Sequence, residues 1–310
     1  MYLICGEALF DCFPCAESGN GALHFESRAG GSPFNVAIGV ARLGADSALL
    51  TGISTDMLGR RLVHTLEREG VDTRYLVRSP HPTTLVMVGV DAQGQPDYTM
   101  YGLDAADRSV TAADLPPIGA EVTGLHFGSY SLVVPPIADT LASIAASAGD
   151  RFVSVDPNVR LTVEPNLDLW RTRVTQYAGL ADLLKISSED LAALYPGVDP
   201  ETRVADWLDA GVRLVVVTYG GSRVTGWLRG QDPVRVTAPR IEIKDTVGAG
   251  DTFQAALLAR LAEHGRPTDM LAALDAAGLA ELLAFAATAA SITCSRRGAD
   301  LPSRSEVMGR

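Results

Sequence analysis

Short runs that are apolar almost throughout, separated by stretches with helical spacing, constrain this chain more than any other feature. Leu3–Cys5, Ala48–Thr51, Leu125–Gly128, Phe152–Val155, Leu183–Ile186 and Leu214–Thr218 are such runs. A strand that is apolar on both faces belongs in a sheet covered on both sides. Strands of this kind alternating with helices predict an α/β, doubly wound, mostly parallel sheet. Ser32 is expected to cap the first helix, with Pro33 in its first turn and Gly44 just past its end. Further helices are expected near Asp56 (ending at Gly70), Pro135, Ser188, Gly250 and Pro267. No linker, low-complexity stretch or internal repeat divides the sequence, so one domain over residues 1–310 is expected.

Two regions break the rhythm. Residues 12–30 are rich in small and polar side chains. Residues 83–101 read as strand, turn and strand: Leu85 to Val90, then Asp91-Ala92-Gln93-Gly94-Gln95-Pro96, then Asp97 to Tyr101. A small β-element inserted in an α/β frame suits a lid, from roughly 12–30 and 83–105. An edge hairpin with no active part fits the same pattern.

Charge narrows the function classes. Lys and Arg total 26 against 37 Asp and Glu, a net charge of −11. So acidic a chain is poorly suited to nucleic acid or to anionic lipid. The opening run Met1 to Cys5 has no basic flank, which argues against a secretory signal and for a cytoplasmic protein. The apolar stretch Gly278 to Cys294 is shorter than a membrane span and contains Glu281, so a buried helix is expected. Four cysteines in 310 residues are not a disulfide framework. Cys12-Phe13-Pro14-Cys15 is a C-x-x-C, but Ala16 to Ala22 after it lacks helical periodicity, which thioredoxin-type chemistry requires. Cys294 and the scattered histidines supply no second pair for zinc.

The strongest local signal is Asp245-Thr246-Val247-Gly248-Ala249-Gly250-Asp251-Thr252-Phe253, followed by an apolar helical run. Small residues opening a helix leave backbone N–H groups free to face an anion. Asp251 stands where its carboxylate can accept the proton of an attacking hydroxyl while the amides face the transferring group. A plain turn with Asp as helix cap would use the same residues. Gly30-Gly31-Ser32-Pro33-Phe34-Asn35-Val36-Ala37 is the second signal: paired glycines opening a helix, with an amide one turn in. Alone it is equally a simple turn. No Gly-x-x-x-x-Gly-Lys-Ser/Thr occurs, and no Gly-x-Gly-x-x-Gly follows the first strand.

Together the Asn35 segment (through Ala41-Arg42-Leu43-Gly44) and the Asp245–Asp251 segment resemble the two signature regions of the PfkB, or ribokinase-type, carbohydrate kinases. Gly6-Glu7-Ala8-Leu9-Phe10-Asp11, Asp156-Pro157-Asn158-Val159-Arg160, Lys185 to Asp190, Thr218-Tyr219-Gly220-Gly221 and Arg296-Arg297-Gly298-Ala299 resemble further elements of that family, in family order. The resemblance spans residues 6 to 299 and implies a ribokinase-like fold with a small β-sheet lid. It implies an ATP-dependent sugar kinase, most like a bacterial fructokinase, with sugar and ATP as its small-molecule partners. Asp251 would be the base, with Gly248, Ala249 and Gly250 forming the anion hole. Asp11, Gly30, Gly31, Asn35, Tyr101 and Arg160 would bind sugar. Lys185, Ser187, Thr218 and Gly220 would lie at ATP. Magnesium would be organised indirectly by Asp190, or by Glu189, and potassium would sit at Asp245 and the Val247 carbonyl. A homodimer through the lid is also implied.

The chain departs from the family pattern in places. The usual Asn-x-x-Glu reads Ser187-x-x-Asp190, Arg223 replaces a common glycine, and the last-helix Asn is replaced within Phe285-Ala286-Ala287-Thr288. The Asp-x-Asn-x-Arg element also fits kinases of 2-keto-3-deoxygluconate, so Arg160 leaves neutral and acidic sugars both open. Asp11 and the overall charge favour the neutral one. A sugar-sensing protein on a kinase fold is the competing class, and a sensor would need no base such as Asp251.

Overall fold

Tyr2, Leu3, Ile4 and Cys5 are all buried. Tyr2 and Ile4 enter one apolar cluster while Leu3 and Cys5 enter another, as alternate side chains of a doubly covered strand must. The computed structural model describes residues 1–15, 22–90 and 96–310. After β1 (Tyr2–Cys5) come β2 (Leu9–Pro14), β3 (Phe25–Gly30), α1 (Ser32–Arg42), β4 (Ser47–Leu50), β5 (Gly52–Ser54) and α2 (Met57–Arg68). Then follow β6 (Val77–Ser79), β7 (Leu85–Val90), β8 (Pro96–Tyr101), β9 (Gly124–Gly128), α3 (Ile137–Ala146), β10 (Phe152–Asp156) and α4 (Leu167–Ala178). The rest is β11 (Leu183–Ser187), α5 (Ser188–Leu194), α6 (Pro200–Ala210), β12 (Leu214–Tyr219), β13 (Arg223–Leu228), β14 (Val234–Thr237), α7 (Ala249–Leu261), α8 (Pro267–Ala272), α9 (Ala276–Cys294) and α10 (Arg304–Met308).

Among the described residues the large sheet has the order β14-β13-β12-β11-β10-β9-β1-β4. Every pairing from β12 to β4 is parallel, and β13 and β14 are added antiparallel at one edge. The order reverses beside β1, and a crevice opens there at the carboxyl ends of the strands. All six expected strands are present. The edge pair β13–β14 was not expected; Gly226 inside β13 weakens its strand pattern. Helix α4 was missed as well. Its buried stripe of Trp170, Val174, Tyr177 and Ala178 has helical spacing, but arginines and threonines on the other face dilute it.

A second sheet, β3-β2-β7-β8, stands apart over the strand ends. This is the expected small sheet, but it begins at Leu9 rather than residue 12. The expected turn at Asp91–Gln95 and the stretch 16–21 lie outside the described residues. Cys12 is buried on β2 beside the Ser27 hydroxyl (3.2 Å), and Cys15 is exposed at the strand's end.

Two helix expectations need correction. Ser32 does not cap α1: Gly31 occupies the cap with φ +104°, and Ser32 is the first helical residue. The apolar helix begins at Ala276, not Gly278, so at 19 residues it is long and apolar enough to span a membrane by length and composition. It packs on α7 instead, burying Leu279, Leu282, Leu283, Ala286 and Ile292.

Candidate functional site

The chain enters α7 through Gly248 at φ +77°, and a Cβ there would lie 2.6 Å from that of Ala299. Only glycine suits both the left-handed turn and the close approach. The turn aims the start of α7 into the crevice. The Ala249 N–H is taken by the Thr246 carbonyl at 3.2 Å, so of the amides expected to face an anion, this one is not free. Among the described residues, no acceptor faces the N–H groups of Gly250 and Asp251. Such first-turn amides, at the positive end of the helix, suit an anion.

Asp251, third in α7, is buried, with both carboxylate oxygens held from α1. Ser32 Oγ donates to Oδ1 (2.7 Å) and Asn35 Nδ2 donates to Oδ2 (2.8 Å). Burial raises the Asp251 carboxyl above the ordinary aspartate value, while Ser32, Asn35, Lys185 and Arg160 pull against it. Lys185 Nζ makes a buried ion pair with Asp156 Oδ2 at 2.6 Å. A Cβ on Gly250 would lie 3.3 Å from that ammonium, so Lys185 reaches the floor of the amide site. His126, which burial and Lys185 hold down to about 3, stays uncharged behind it.

A cleft of about 730 Å³ runs from this point beneath the small sheet. Strand alternation brings Leu9, Asp11 and Phe13 of β2, Val86 and Val88 of β7, and Tyr98 and Met100 of β8 onto it. Tyr101 is the expected sugar residue that the structure does not bring there. It is 64% exposed and, one residue out of phase with Tyr98 and Met100, lies on the opposite face of β8. The period of two was legible; which face would meet the cleft was not. Gly31, Asn35, Arg160, Gly248, Gly250 and Asp251 all line the cleft, and Gly30 lies directly behind the Asp11 carboxylate. Asp11 is pushed up to about 6 by burial, against the pull of Arg160. Glu7, Ser129 and Tyr130 also line it and were not expected.

The strand ends of β11 and β12 form the other flank. Ser187 Oγ accepts the Asp190 N–H (3.0 Å) and caps α5, while Glu189 and Asp190 line the cleft. Gly220, at φ +52° after Thr218 and Tyr219, approaches Glu189. Asp156 Oδ1 is buried without a partner, and burial together with the Asp156 charge raises the Asp190 carboxyl. Glu189 and Asp190, adjacent acids that both line the cleft, fit the waters of a hydrated divalent cation. Asp245 Oδ1 accepts the Val247 N–H (3.1 Å) and its Oδ2 the Gly298 N–H (2.7 Å). Each oxygen keeps a lone pair free, so this cross-linked loop fits a monovalent cation held with backbone carbonyls.

The sequence pattern of the pfkB family carbohydrate kinases matches residues 2–306. The chain belongs to this family. It is therefore an ATP-dependent sugar kinase, a phosphotransferase with an alcohol acceptor. It is 38% identical over 262 residues to a fructokinase of Rhizobium leguminosarum bv. trifolii, covering 84% of this chain and 79% of that one. The structure of a Xylella fastidiosa fructokinase with bound ATP superposes with a TM-score of 0.90 at 28% identity, covering 99% of this chain and 96% of that one. A fructokinase double mutant from Vibrio cholerae O395, with fructose, ADP and potassium bound, gives 0.85 at 27% identity, covering 99% and 97%. PfkB membership accounts for the α/β sheet and for the separate small sheet over the strand ends.

Proposed function

We propose that the cleft transfers the γ-phosphoryl group of ATP to a hydroxyl of a neutral ketohexose, fructose. The observation that carries this reading is Asp251, a buried carboxylate opening on the cleft at the helix terminus where two amides are free. The sugar lies between the β2–β7–β8 face and a floor of Asp11, Gly30, Gly31, Asn35 and Arg160. ATP lies across the ends of β11 and β12 at Lys185, Ser187, Thr218 and Gly220, with its terminal phosphate towards Gly250. Asp251 takes the proton of the acceptor hydroxyl as its oxygen bonds to the γ-phosphorus. The bond from that phosphorus to the bridging oxygen breaks and ADP leaves. The free amides of α7 and the Lys185 ammonium stabilise charge on the transferring group. Magnesium would neutralise the phosphates, and Asp190 or Glu189 would hold its waters. Potassium at Asp245 and the Val247 carbonyl would order the loop that forms the amide site.

Charge favours a neutral over an acidic sugar. Among the described residues, Asp11, Glu189, Asp190 and Asp251 line the cleft, with Glu7 partly protonated near neutral pH, against Arg160 alone among cationic side chains. Lys185, paired with Asp156, sits by Gly250 at the start of α7 rather than among the residues that line the cleft. A sugar carboxylate would enter a field of its own sign, whereas hydroxyls meet acceptors. The expected outcome is a kcat/KM for fructose at least tenfold above that for 2-keto-3-deoxygluconate, about 1.4 kcal/mol in transition-state binding. Preference for the acid in side-by-side kinetics contradicts this. Residues 1–310 would act as one domain with the small sheet as its lid. A second copy would cover the exposed Phe25, Tyr101 and Leu103 of that sheet and its exit; solution scattering that returns a monomer contradicts the dimer.

A further inference from the structure

Residues 6–8, between β1 and β2, lie directly on the N-terminus of α1. A Cβ on Gly31 would sit 2.8 Å from the Glu7 carbonyl oxygen, and one on Gly6 would sit 2.4 Å from Pro33 Cγ. Nothing separates the two segments. The Glu7 side chain, 2% exposed, accepts the Ser32 N–H at Oε1 (3.2 Å) and the Ser131 hydroxyl at Oε2 (2.6 Å). The Ser32 hydroxyl has one proton to donate, and it goes to Asp251 Oδ1 at 2.7 Å. One buried carboxylate thus holds the backbone of Ser32, while the side chain of Ser32 holds the other.

We propose that Ser32, anchored by Glu7, is a positioning residue that fixes the plane of the Asp251 carboxylate towards the acceptor hydroxyl. This rests on the reading of Asp251 as the base. A carboxylate turns freely about its Cβ–Cγ bond unless both oxygens are engaged. Ser32 and Asn35, one turn apart on α1, engage one oxygen each. Losing the Ser32 bond leaves Asp251 held on one side only. It also removes a donor that favours the ionised form. The other groups facing Asp251 are Lys185 from β11, Arg160 from the segment after β10, Asp11 from β2 and Asn35 from α1. They remain in the variant, so the change isolates the hydroxyl.

Ser32→Ala is the test, because alanine is a good residue in the first helical turn and α1 is retained. The expected result is a kcat about tenfold lower, with the KM for fructose altered less than about twofold. The acid limb of kcat/KM should move up by about one pH unit. Ser32→Thr restores the hydroxyl and should recover both. An unmoved acid limb, a rise in KM alone, or a Thr variant as impaired as the Ala variant overturns the proposal. Asp251→Asn made in parallel separates the two claims. If it keeps its turnover, the reading of the base fails; if it loses turnover while Ser32→Ala keeps the wild-type limb, only the positioning role fails.

Discussion

Opposing forces set the state of each carboxyl group in the cleft. Glu7 is pushed from 4.5 up to about 7 by burial, although the Ser131 and Ser129 hydroxyls pull it down. The unfolded chain releases that proton near its ordinary value, and the folded one near 7. Between the two the folded state binds more protons. The stability Glu7 contributes at low pH is therefore lost as pH rises through its folded value. Relative to Glu7→Gln, the wild type should lose up to about 3 kcal/mol between pH 4.5 and 7. Urea denaturation of both proteins across that range measures the difference, and a flat difference contradicts the assignment. Little of this was legible in the sequence. A serine before a helix looks like a cap, and the partner of its hydroxyl lies 219 residues away. Glu7 beside an apolar strand gives no local sign that it will be enclosed.

At the scale of elements, the start of α7 and the small sheet meet across the cleft. Gly250→Val places a branched side chain against the Lys185 ammonium and over the free amides. Phosphoryl transfer should fall by at least about a hundredfold, as when an oxyanion-hole donor is lost, with sugar affinity little changed. A folded variant with normal turnover would make the loop merely structural. On β8, Tyr98→Ala should raise the KM for fructose about three- to tenfold through lost apolar contact, whereas Tyr101→Ala should leave it within about twofold. Steady-state kinetics of the pair, with the effects reversed, would contradict the face assigned to the strand. The glycine-rich entry to α7 was legible because a left-handed turn and a close approach demand a particular residue. The orientation of β8 was not, since it depends on how one sheet docks over another.

Across the whole molecule, six parallel strands carry the site on their carboxyl ends, and their apolar runs announced them. What escaped was peripheral: the antiparallel edge β13–β14, the short β5–β6 pair and helices α4, α6 and α10, where local patterns are diluted or brief. The site draws on elements from β1–β2 to α7, which ordered motifs could indicate but single motifs could not. A negative chain with an acidic cleft binds a polyanion only where local amides, Lys185 and bound cations offset that field. All of this converges on the carboxylate that Ser32 and Asn35 hold. The most direct measurement compares wild type and Asp251→Asn for turnover with ATP, magnesium and saturating fructose, alongside calorimetric binding of each ligand. The account predicts that both ligands still bind while turnover falls about 10²- to 10⁴-fold. Wild-type turnover in the Asn variant would contradict it.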